Sequence, residues 1–352
     1  MPQDVRTAPR VSVLMPVRDA EPWLVEAVES LRGQSEASFE LIAIDDGSRD
    51  RSRVILEAYT CDDPRIRVLE TGPHARGITS ALNTGLAAAR ASVVARMDAD
   101  DRARPDRLRA QCAALDGDPS LFAVACRVSG FPDTAVGAGM RRYLAWQNTL
   151  VEPDELARDR FIESPLVHPS VMMRTGLLRD ALGGWRDAAW PEDWDLFLRA
   201  LEHGLRIARV PRTLFEWRLH PRQTTRTHAR YSEESFMLAR AHFLAREIVR
   251  ACGRERPVWV LGAGPVGKRL GKALARERTE VAGFVDVDPR KIGGRIRDDG
   301  REWPVIAMDA LLAISPRPAA VGAVARPGAR RRVRLVLAAA GWCEGSDYFV
   351  AA

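Results

Sequence analysis

Short apolar runs alternate with amphipathic segments over the first hundred residues of the chain. The runs have the length of strands, and the segments between them carry apolar side chains at helical spacing. The pattern predicts strands at 11–15, 39–44, 66–69 and 92–95, and helices at 21–32, 51–59 and 82–89. Alternating strands and helices of this kind predict a parallel sheet covered by helices on both faces.

Candidate site residues follow several of these strands at their carboxyl ends, where open parallel sheets bind ligands. Pro16 follows the first strand, Asp46 the second, and the run Met-Asp-Ala-Asp-Asp at 97–101 the fourth. Because side chains alternate along a strand, Asp98 and Asp100 are expected to point to the same side. Carboxylates so close together repel each other unless a cation lies between them, and such oxygen ligands suit Mg²⁺ or Mn²⁺. Alone, the pair is more often a solvated turn, but its position at this edge favours a metal site.

Four motifs in this stretch resemble those of the inverting family 2 glycosyltransferases, which have the GT-A fold. They are Val13-Leu-Met-Pro-Val17, Ile44-Asp-Asp-Gly-Ser-Arg-Asp50, Arg76-Gly77 with Ala81-Leu-Asn-Thr-Gly85, and Met97-Asp-Ala-Asp-Asp101. Their order and spacing are those of the family, and the resemblance continues to about Pro221. It implies an α/β nucleotide-diphospho-sugar transferase fold, with a mixed, mostly parallel sheet flanked by helices.

The resemblance also implies a site for a nucleotide-sugar donor, a UDP-, GDP- or dTDP-sugar. By that match the nucleotide contacts are Pro16, Val17, Asp19, Asp46 and Arg76. Asp100 is implied as the direct metal ligand ahead of Asp98, which in the family often contacts the ribose or the sugar. The alternatives are an ordinary polar turn after the second strand, in which Ser48 or Asp50 caps the next helix, and a solvated surface position for Arg76.

Glu192 and Asp193 precede an amphipathic helix in the second half of the chain. They resemble the Glu-Asp motif of the family, which implies that Asp193 is the general base for the acceptor and Glu192 its neighbour. The same charges suit a helix N-terminus, where the helix dipole favours acidic residues. Arg218 or His220 lies where related enzymes carry a loop over the donor diphosphate, so either is a candidate to pair with a phosphate oxygen.

The implied reaction is a single in-line displacement at the anomeric carbon. The base takes the acceptor proton, the acceptor oxygen attacks, and the nucleotide diphosphate leaves from the opposite side, so the configuration inverts. The Gln-x-x-Arg-Trp motif of processive members is absent from the sequence, which favours transfer of one sugar per visit. Many members of the family act in cell-surface glycan biosynthesis, so the resemblance implies a glycan, a lipid-linked or a protein acceptor of that kind.

A second alternating pattern follows residue 254. The predicted strand 258–261 leads into Gly-Ala-Gly-Pro-Val-Gly at 262–267, which opens a helix, and the next strand, 281–285, ends in Asp286. This acidic residue follows the last glycine by 19 positions. The arrangement is the dinucleotide-binding fingerprint in its strand–turn–helix setting.

The fingerprint makes Gly262, Gly264, Gly267 and Asp286 candidate contacts for a second nucleotide. The remaining chain is about half as long as a full dinucleotide-binding domain, and it resembles the small Rossmann-like domains of some sugar acyltransferases and CoA-binding proteins. Three interpretations stay open: a sensor for an NAD- or CoA-type ligand, a docking module, or a remnant that keeps the fold without a ligand.

The sequence therefore predicts four regions along the chain. They are a disordered N-terminus at 1–9, a GT-A glycosyltransferase domain at 10–221, a helical linker at 222–254 and a Rossmann-like accessory domain at 255–352. Within the linker, the apolar stripe predicts one helix over 228–252.

Composition indicates the class of protein and its expected partners. The 46% hydrophobic and 28% charged residues are typical of a globular protein, and no run approaches the roughly 20 apolar residues of a membrane span. The five cysteines lack metal-ligand spacing and the N-terminus lacks a signal-peptide core, so a cytoplasmic protein with free thiols is expected. The net charge of +6 is modest, so no nucleic acid is expected as a partner, whereas peripheral contact with the inner face of the membrane stays open.

Two other functions compete with the transferase. A sugar nucleotidyltransferase shares the sheet and the acidic metal ligands, but it would need a glycine-rich phosphate loop where Pro-Val-Arg-Asp stands at 16–19. A nucleotide- or CoA-binding sensor or scaffold would act through the second domain. The presence of Glu192 and Asp193 together with the acidic pair favours a catalyst.

Overall fold

The computed structural model describes residues 8–72, 77–326 and 328–352, which form two compact units. The first unit extends to Leu156 and adds Leu166–Ala188 and Glu192–Thr227. The second consists of Ala157–Pro165, Ala189–Pro191 and His228–Ala352. The four regions predicted along the chain stay predictions, since compactness alone does not define a domain's origin or function.

An eight-stranded sheet forms the centre of the first unit within the described residues, in the order β3-β2-β1-β4-β7-β6-β8-β5. Its strands are β1 (Val11–Val17), β2 (Phe39–Asp45), β3 (Ile66–Glu70), β4 (Val93–Arg96), β5 (Arg102–Ala103), β6 (Leu121–Phe131), β7 (Met172–Arg174) and β8 (Arg206–Arg218). Strands β1 to β4 are parallel, as are β6 and β8, whereas β5 and β7 run antiparallel to their neighbours. The sheet is therefore mixed and mostly parallel, as expected.

Helices pack on both faces of this sheet because its strands are apolar on both sides. The helices are α1 (Glu21–Arg32), α2 (Ser52–Asp62), α3 (Ile78–Ala88), α4 (Arg107–Gly117), α5 (Ala138–Gln147), α6 (Pro153–Asp159), α7 (Glu192–Glu202) and α8 (Thr224–Thr227). Along β1, Val13 and Met15 belong to a core cluster with Leu24 of α1, whereas Leu14 belongs to another with Leu82 of α3. The alternation along one strand thus builds two cores.

Strand β1 continues two residues beyond its predicted end at Met15. Pro16 was expected to stop it, but this residue pairs with Ile44 of β2 within the strand. On the other side of β1, the pairing with β4 ends at Leu14. A proline lacks the N–H that a second neighbour would need, so it is tolerated where the strand has a partner on one side only.

At the amino end of the same sheet lies a buried carboxylate, Glu40. It accepts hydrogen bonds from the Ser12 hydroxyl (2.7 Å), from the backbone N–H and Nε of Arg90 (both 2.9 Å), and from Arg67 Nη1 (2.9 Å). Burial opposes its ionisation, but these hydrogen bonds prevail and hold the pKa of Glu40 below its usual value. The carboxylate therefore ties β1, β2, β3 and the turn before β4 together.

The second unit contains a six-stranded sheet within the described residues, in the order β11-β12-β10-β9-β13-β14. Its strands are β9 (Val258–Leu261), β10 (Val281–Val285), β11 (Arg295–Asp298), β12 (Arg301–Ile306), β13 (Ala319–Gly322) and β14 (Tyr348–Val350), and its helices are α9 (Glu233–Cys252), α10 (Pro265–Arg276), α11 (Met308–Leu312) and α12 (Ala329–Ala339). The pairs are parallel except β11 with β12. Along the part of the chain that the structure describes, no helix is long and apolar enough to cross a membrane.

Helix α9 begins later than the predicted residue 228. The Ser232 hydroxyl accepts a hydrogen bond from the backbone N–H of Ser235, which is the geometry of a helix N-cap. A short 3₁₀ turn, Ala229–Tyr231, precedes it. The apolar spacing alone did not distinguish this turn from the helix.

Candidate active site

Three carboxylates meet where β4 ends. Oxygen atoms of Asp98, Asp100 and Asp101 all lie within 4.8 Å of one another. The strand end is fixed beneath them, because the backbone N–H of Met97 donates to the Leu14 carbonyl at 3.0 Å. The structure thus brings Asp98 and Asp100 together, as predicted, and adds a third aspartate, although all three lie in the turn beyond β4 and not on the strand itself.

His220 joins this acidic cluster from the loop after β8. Its Nε2 atom lies 2.8 Å from Oδ2 of Asp100, and its ring stacks on Trp23 with the centroids 4.0 Å apart and the planes at 27°. An imidazole nitrogen beside a carboxylate is a ligand pair that Mn²⁺ accepts. The sequence suggested His220 only as a phosphate partner, and it gave no signal for the contribution of Trp23.

Asp101 lies fully buried behind the other two carboxylates. One of its oxygens accepts a hydrogen bond from the backbone N–H of Arg218 at 2.7 Å, and the other, Oδ2, meets no hydrogen-bond donor in the described residues. Burial raises the pKa of Asp101 well above its usual value, and the charges of Asp100 and Asp98 raise it further. The pKa of Asp100 is also raised, first by burial and then by Asp98, although His220 opposes this.

The acidic cluster is therefore short of positive charge. It offers carboxylate oxygens, an imidazole nitrogen and one buried oxygen without a donor. This donor set fits a divalent cation of the Mg²⁺ or Mn²⁺ type, because both prefer oxygen ligands and Mn²⁺ also accepts nitrogen.

Arg218, the predicted phosphate contact, lies beside the cluster with its guanidinium held by protein groups. Its Nε donates to the backbone carbonyl of Asp100 at 2.6 Å, and its Nη2 pairs with Glu26. The guanidinium carbon also lies 4.3 Å from the centre of the Phe131 ring. Its position next to Asp100 is consistent with the predicted contact to the donor diphosphate. That contact stays a prediction.

Asp46, the predicted nucleotide contact at the end of β2, is buried and accepts hydrogen bonds within the protein. Its donors are the Thr71 hydroxyl at 2.9 Å and the backbone N–H of Gly77, 2.9 Å from Oδ2. The carboxylate therefore fixes the start of α3 here. A nucleotide base that bonded to Asp46 would share it with these donors or replace them.

The remaining predicted nucleotide contacts come from the end of β1 and the loop after it. Pro16 and Val17 close the strand, and Asp19 follows with a φ of 50°, a left-handed conformation that aspartate tolerates. Asp19 accepts a hydrogen bond from the backbone N–H of Arg49 at 2.7 Å, which links this loop to the one after β2. Arg76 lies outside the described residues.

The predicted acceptor-side pair occupies the first turn of α7. Glu192 is buried, whereas Asp193 is half-buried and accepts a hydrogen bond from the backbone N–H of Trp194 at 2.7 Å. Burial raises the pKa of Asp193 to about 7, with a further increase from the charge of Glu192 and an opposing effect of Arg96. A carboxylate that titrates near neutral pH has the basicity that a general base needs.

His168 lies behind this pair and is neutral. Its Nε2 accepts a hydrogen bond from Trp185 Nε1 at 3.0 Å, and its Nδ1 lies 3.8 Å from a Glu192 oxygen. Burial, aided by the charge of Arg96, holds the pKa of His168 far below its usual value. The geometry is that of a buried, hydrogen-bonded histidine.

Arg199 is a positioning side chain that the sequence analysis missed. It donates to Asp195 at 2.7 Å and to the carbonyls of Leu182 and Gly184 at 2.7 and 2.9 Å. These bonds fix the loop before the acceptor-side pair to helix α7. The spacing of Asp195 and Arg199 by four positions on one helix is the signal that could have revealed the ion pair.

In the second unit, the glycine turn between β9 and α10 has the close packing that its fingerprint requires. Gly262 adopts a φ of 119°, and a Cβ added to Gly267 would lie 1.8 Å from the carbonyl oxygen of Gly262. Larger residues at these two positions would push α10 away from the turn. Gly264, which precedes α10, has open space where a side chain would project.

Asp286 follows β10 and is bonded within its own turn. One oxygen accepts from the backbone N–H of Ala263 at 2.9 Å and from Lys291 Nζ at 2.8 Å. The other accepts from the backbone N–H groups of Val287 and Asp288 at 2.8 and 3.0 Å. In the structure this carboxylate thus stabilises the turn, and a contact with a ribose stays a prediction.

The fold and the acidic site at the edge of its sheet define a glycosyltransferase of the GT-A type. The model of the family "Glycosyl transferase family 2" matches residues 12–182. EpsE of Bacillus subtilis (strain 168), a protein named provisionally as a glycosyltransferase, is 31% identical over 218 residues, which cover 61% of this chain and 74% of EpsE. The chain belongs to glycosyl transferase family 2.

Two further proteins are similar to parts of the chain. The succinoglycan biosynthesis protein ExoO of Rhizobium meliloti (strain 1021) is 32% identical over 123 residues, or 35% of this chain and 34% of ExoO. The crystal structure of S. aureus TarS 1-349 in complex with UDP-GlcNAc superimposes with a TM-score of 0.51 at 18% identity, and covers 76% of this chain and 80% of that one. At that identity the superposition supports the fold alone.

Proposed function

We propose that this protein is a metal-dependent, inverting glycosyltransferase that moves one sugar from a nucleotide-diphosphate sugar to an acceptor hydroxyl in cell-surface glycan biosynthesis. The observation that carries the proposal is the acidic cluster of Asp98, Asp100 and Asp101 with His220, which holds more negative charge than the protein neutralises. Two relatives agree with it: TarS is solved with UDP-GlcNAc, and ExoO takes its name from succinoglycan biosynthesis.

The cation would be held by Asp100 and His220, with Asp101 or Asp98 beside them. A bound Mg²⁺ or Mn²⁺ supplies charge that stabilises a leaving diphosphate. The nucleotide pocket is assigned to Pro16, Val17, Asp19 and Asp46, as the resemblance implies.

Asp193 is assigned the role of general base. Since its pKa lies near 7, it is ionised at slightly alkaline pH and still basic enough to accept the proton of an acceptor hydroxyl. Glu192 contributes negative charge that keeps Asp193 basic. The neutral His168 and the loop fixed by Arg199 hold the surrounding protein in place.

Arg218 is assigned to the donor phosphates. Its guanidinium already lies at the backbone of Asp100 and is balanced by Glu26. A phosphate group bound at the cluster would offer it a second anion, since a guanidinium has donors for more than one partner.

The test is a calorimetric titration of UDP, GDP and dTDP, each with and without Mn²⁺, on the wild type and on Asp100→Ala. We expect one diphosphate to bind, and only when both Mn²⁺ and Asp100 are present. Asp62→Ala, which removes an exposed carboxylate at the end of α2, is the matched control and should bind like the wild type. If no diphosphate binds, while NAD or CoA does and Asp100→Ala changes nothing, the proposal fails and the sensor alternative gains support.

A further inference from the structure

Arg96 is a buried cation at the end of β4, with a side chain 2% exposed. Its backbone N–H donates to the carbonyl of Val171 at 3.0 Å, and its backbone carbonyl accepts from Arg107 Nη2 at 2.7 Å. The backbone of Arg96 is therefore fixed. Because the side chain is buried, its guanidinium has little freedom to move away from the acidic cluster.

Acidic groups surround this guanidinium. It pairs with Asp98 through Nη1, and neither Nη1 nor Nε makes a hydrogen bond in the described part of the chain. Burial disfavours its charge, but the attraction of Asp98, Glu192 and Asp101 holds the pKa of Arg96 above its usual value. The arginine thus interacts with the metal-side carboxylates and with the acceptor-side pair, and no role is assigned to it so far.

The ion pair changes what Asp98 can offer a cation. The charge of a carboxylate beside a buried guanidinium is offset by that cation, so the carboxylate is a weaker ligand than a free one. Asp100 has a histidine as its neighbour instead, and Asp101 keeps one oxygen without a donor. The three aspartates of the cluster are therefore not equivalent.

We propose that Arg96 is a positioning residue that holds Asp98 away from the metal, so that the cation is bound by Asp100 and His220 without Asp98. The inference rests on the metal site of the proposed function. It adds that Arg96 limits the number of anionic ligands, which is one of the properties that set the affinity of a protein site for a divalent cation.

The experiment measures Mn²⁺ binding by electron paramagnetic resonance on the full chain. The samples are the wild type, Arg96→Met, Asp98→Asn and the double variant. Arg96→Met should bind Mn²⁺ about tenfold more tightly, because it removes a positive charge and frees a carboxylate to become a ligand. The double variant should bind like Asp98→Asn, because the gain requires the freed carboxylate.

Two controls separate this effect from a general loss of a buried arginine. Arg209→Met removes another buried arginine of the first unit, whose guanidinium bonds to the carbonyls of Gln147 and Leu150, and it should leave the Mn²⁺ affinity unchanged. Arg96→Lys keeps the charge and should stay close to the wild type. If Arg96→Met does not fold, Asp98→Asn alone tests the inference: it should change the affinity less than threefold, whereas Asp100→Asn should lower it at least tenfold.

The outcomes distinguish this inference from the proposed function. If the wild type binds Mn²⁺ but Arg96→Met binds it no more tightly, or if the gain persists in the double variant, the role of Arg96 is wrong and the metal site stands. If no variant binds Mn²⁺, with or without a nucleoside diphosphate, the metal site fails and this inference fails with it.

Discussion

Each unit of the molecule places an aspartate after a parallel strand, and the two carboxylates have opposite surroundings. Asp101, beyond β4, is buried among like charges with one oxygen lacking a donor, so its pKa is raised. Asp286, directly after β10, accepts hydrogen bonds on both oxygens. Its pKa is lowered because these bonds, with that of Lys291 foremost, outweigh its burial.

The difference shows how a ligand site is distinguished from a structural turn when both carry a plausible motif. A carboxylate that the protein already satisfies contributes to folding, whereas carboxylates that repel one another store an unfavourable charge that a bound cation relieves. The motif alone did not separate the two cases; the hydrogen-bond partners show that Asp286, like Asp46, stabilises its own turn, and the ligand contacts of both stay predictions.

The largest effect is expected from Asp193→Asn in the first unit. Removal of the proposed general base should lower kcat by about 10²- to 10⁴-fold while the KM for the donor changes little, because the proposed donor contacts remain. Steady-state kinetics with the donor identified by titration will measure both constants. Glu202→Gln, at the other end of α7, is the control, and a kcat for Asp193→Asn within tenfold of the wild type would exclude this residue as the base.

The pH dependence of kcat/KM should reflect the ionisation of the same carboxylate, Asp193. Burial and Glu192 raise the pKa of Asp193 to about 7, so the inactive protonated form persists up to neutral pH. We expect kcat/KM to fall about tenfold per pH unit below 7 and to level off above it. A profile measured from pH 5 to 9 tests this, and an acidic limb near pH 4 would mean that Asp193 is not the group that titrates.

Asp286→Ala should test the structural carboxylate of the second unit. Loss of its hydrogen bonds removes charge-assisted contacts to Lys291 and to backbone N–H groups of the turn, and should lower the free energy of unfolding by about 1–3 kcal/mol at neutral pH. Because the folded-state pKa of Asp286 is lowered, this contribution is present above its unfolded pKa and disappears as the pH falls through the folded value. Denaturant unfolding at pH 7 and pH 3 measures it, and a loss that is equal at both pH values would contradict the assignment.

Asp101→Asn should stabilise the folded protein when a chelator is present, whereas Asp286→Ala should destabilise it. The amide oxygen can still accept from the Arg218 N–H, while the charge that burial disfavours is removed. We expect the melting temperature to rise by about 2–4 °C in EDTA at pH 8. If both aspartate variants lower the melting temperature alike, the contrast between the two units does not hold.

The smallest effect is expected from the aromatic support of His220. Trp23→Ala removes the ring on which the histidine stacks and should weaken Mn²⁺ binding about two- to tenfold. Trp23→Phe keeps a stacking partner and should restore most of the affinity. If the alanine and phenylalanine variants bind equally, the stack does not orient the histidine.

Much of the fold follows from the sequence because the apolar runs are regular. The predicted strands 258–261 and 281–285 and the predicted helix 21–32 have the same bounds in the structure. Asp98 and Asp100 come together as predicted, but the reason differs: β4 ends at Arg96, so the turn after the strand, and not strand alternation, brings the two carboxylates together. Where the sequence signals were wrong, at Pro16 and at the start of α9, a neighbouring strand or a side-chain cap decided the boundary.

The partners within the site could not be predicted in the same way. His220 lies 120 positions from Asp100, and the two meet because β8 pairs antiparallel with the short β5 just after the acidic run. Arg96 ends an apolar strand, and although its partner Asp98 is only two positions away, the charge of Glu192 acts on it from a distant part of the chain. Such contacts depend on tertiary structure, which local spacing does not encode.

The hydrogen bonds of Glu40, which join the strands at one end of the sheet, have a consequence for how such a protein can evolve. The carboxylate joins Ser12, Arg67 and Arg90 at the amino edge of the sheet, opposite the acidic cluster. Because the framework is secured at that edge, the loops at the carboxyl edge can vary in sequence and length without opening the sheet. Exchange of the loop at 46–51 or 183–188 with that of a relative is therefore expected to leave the sheet intact.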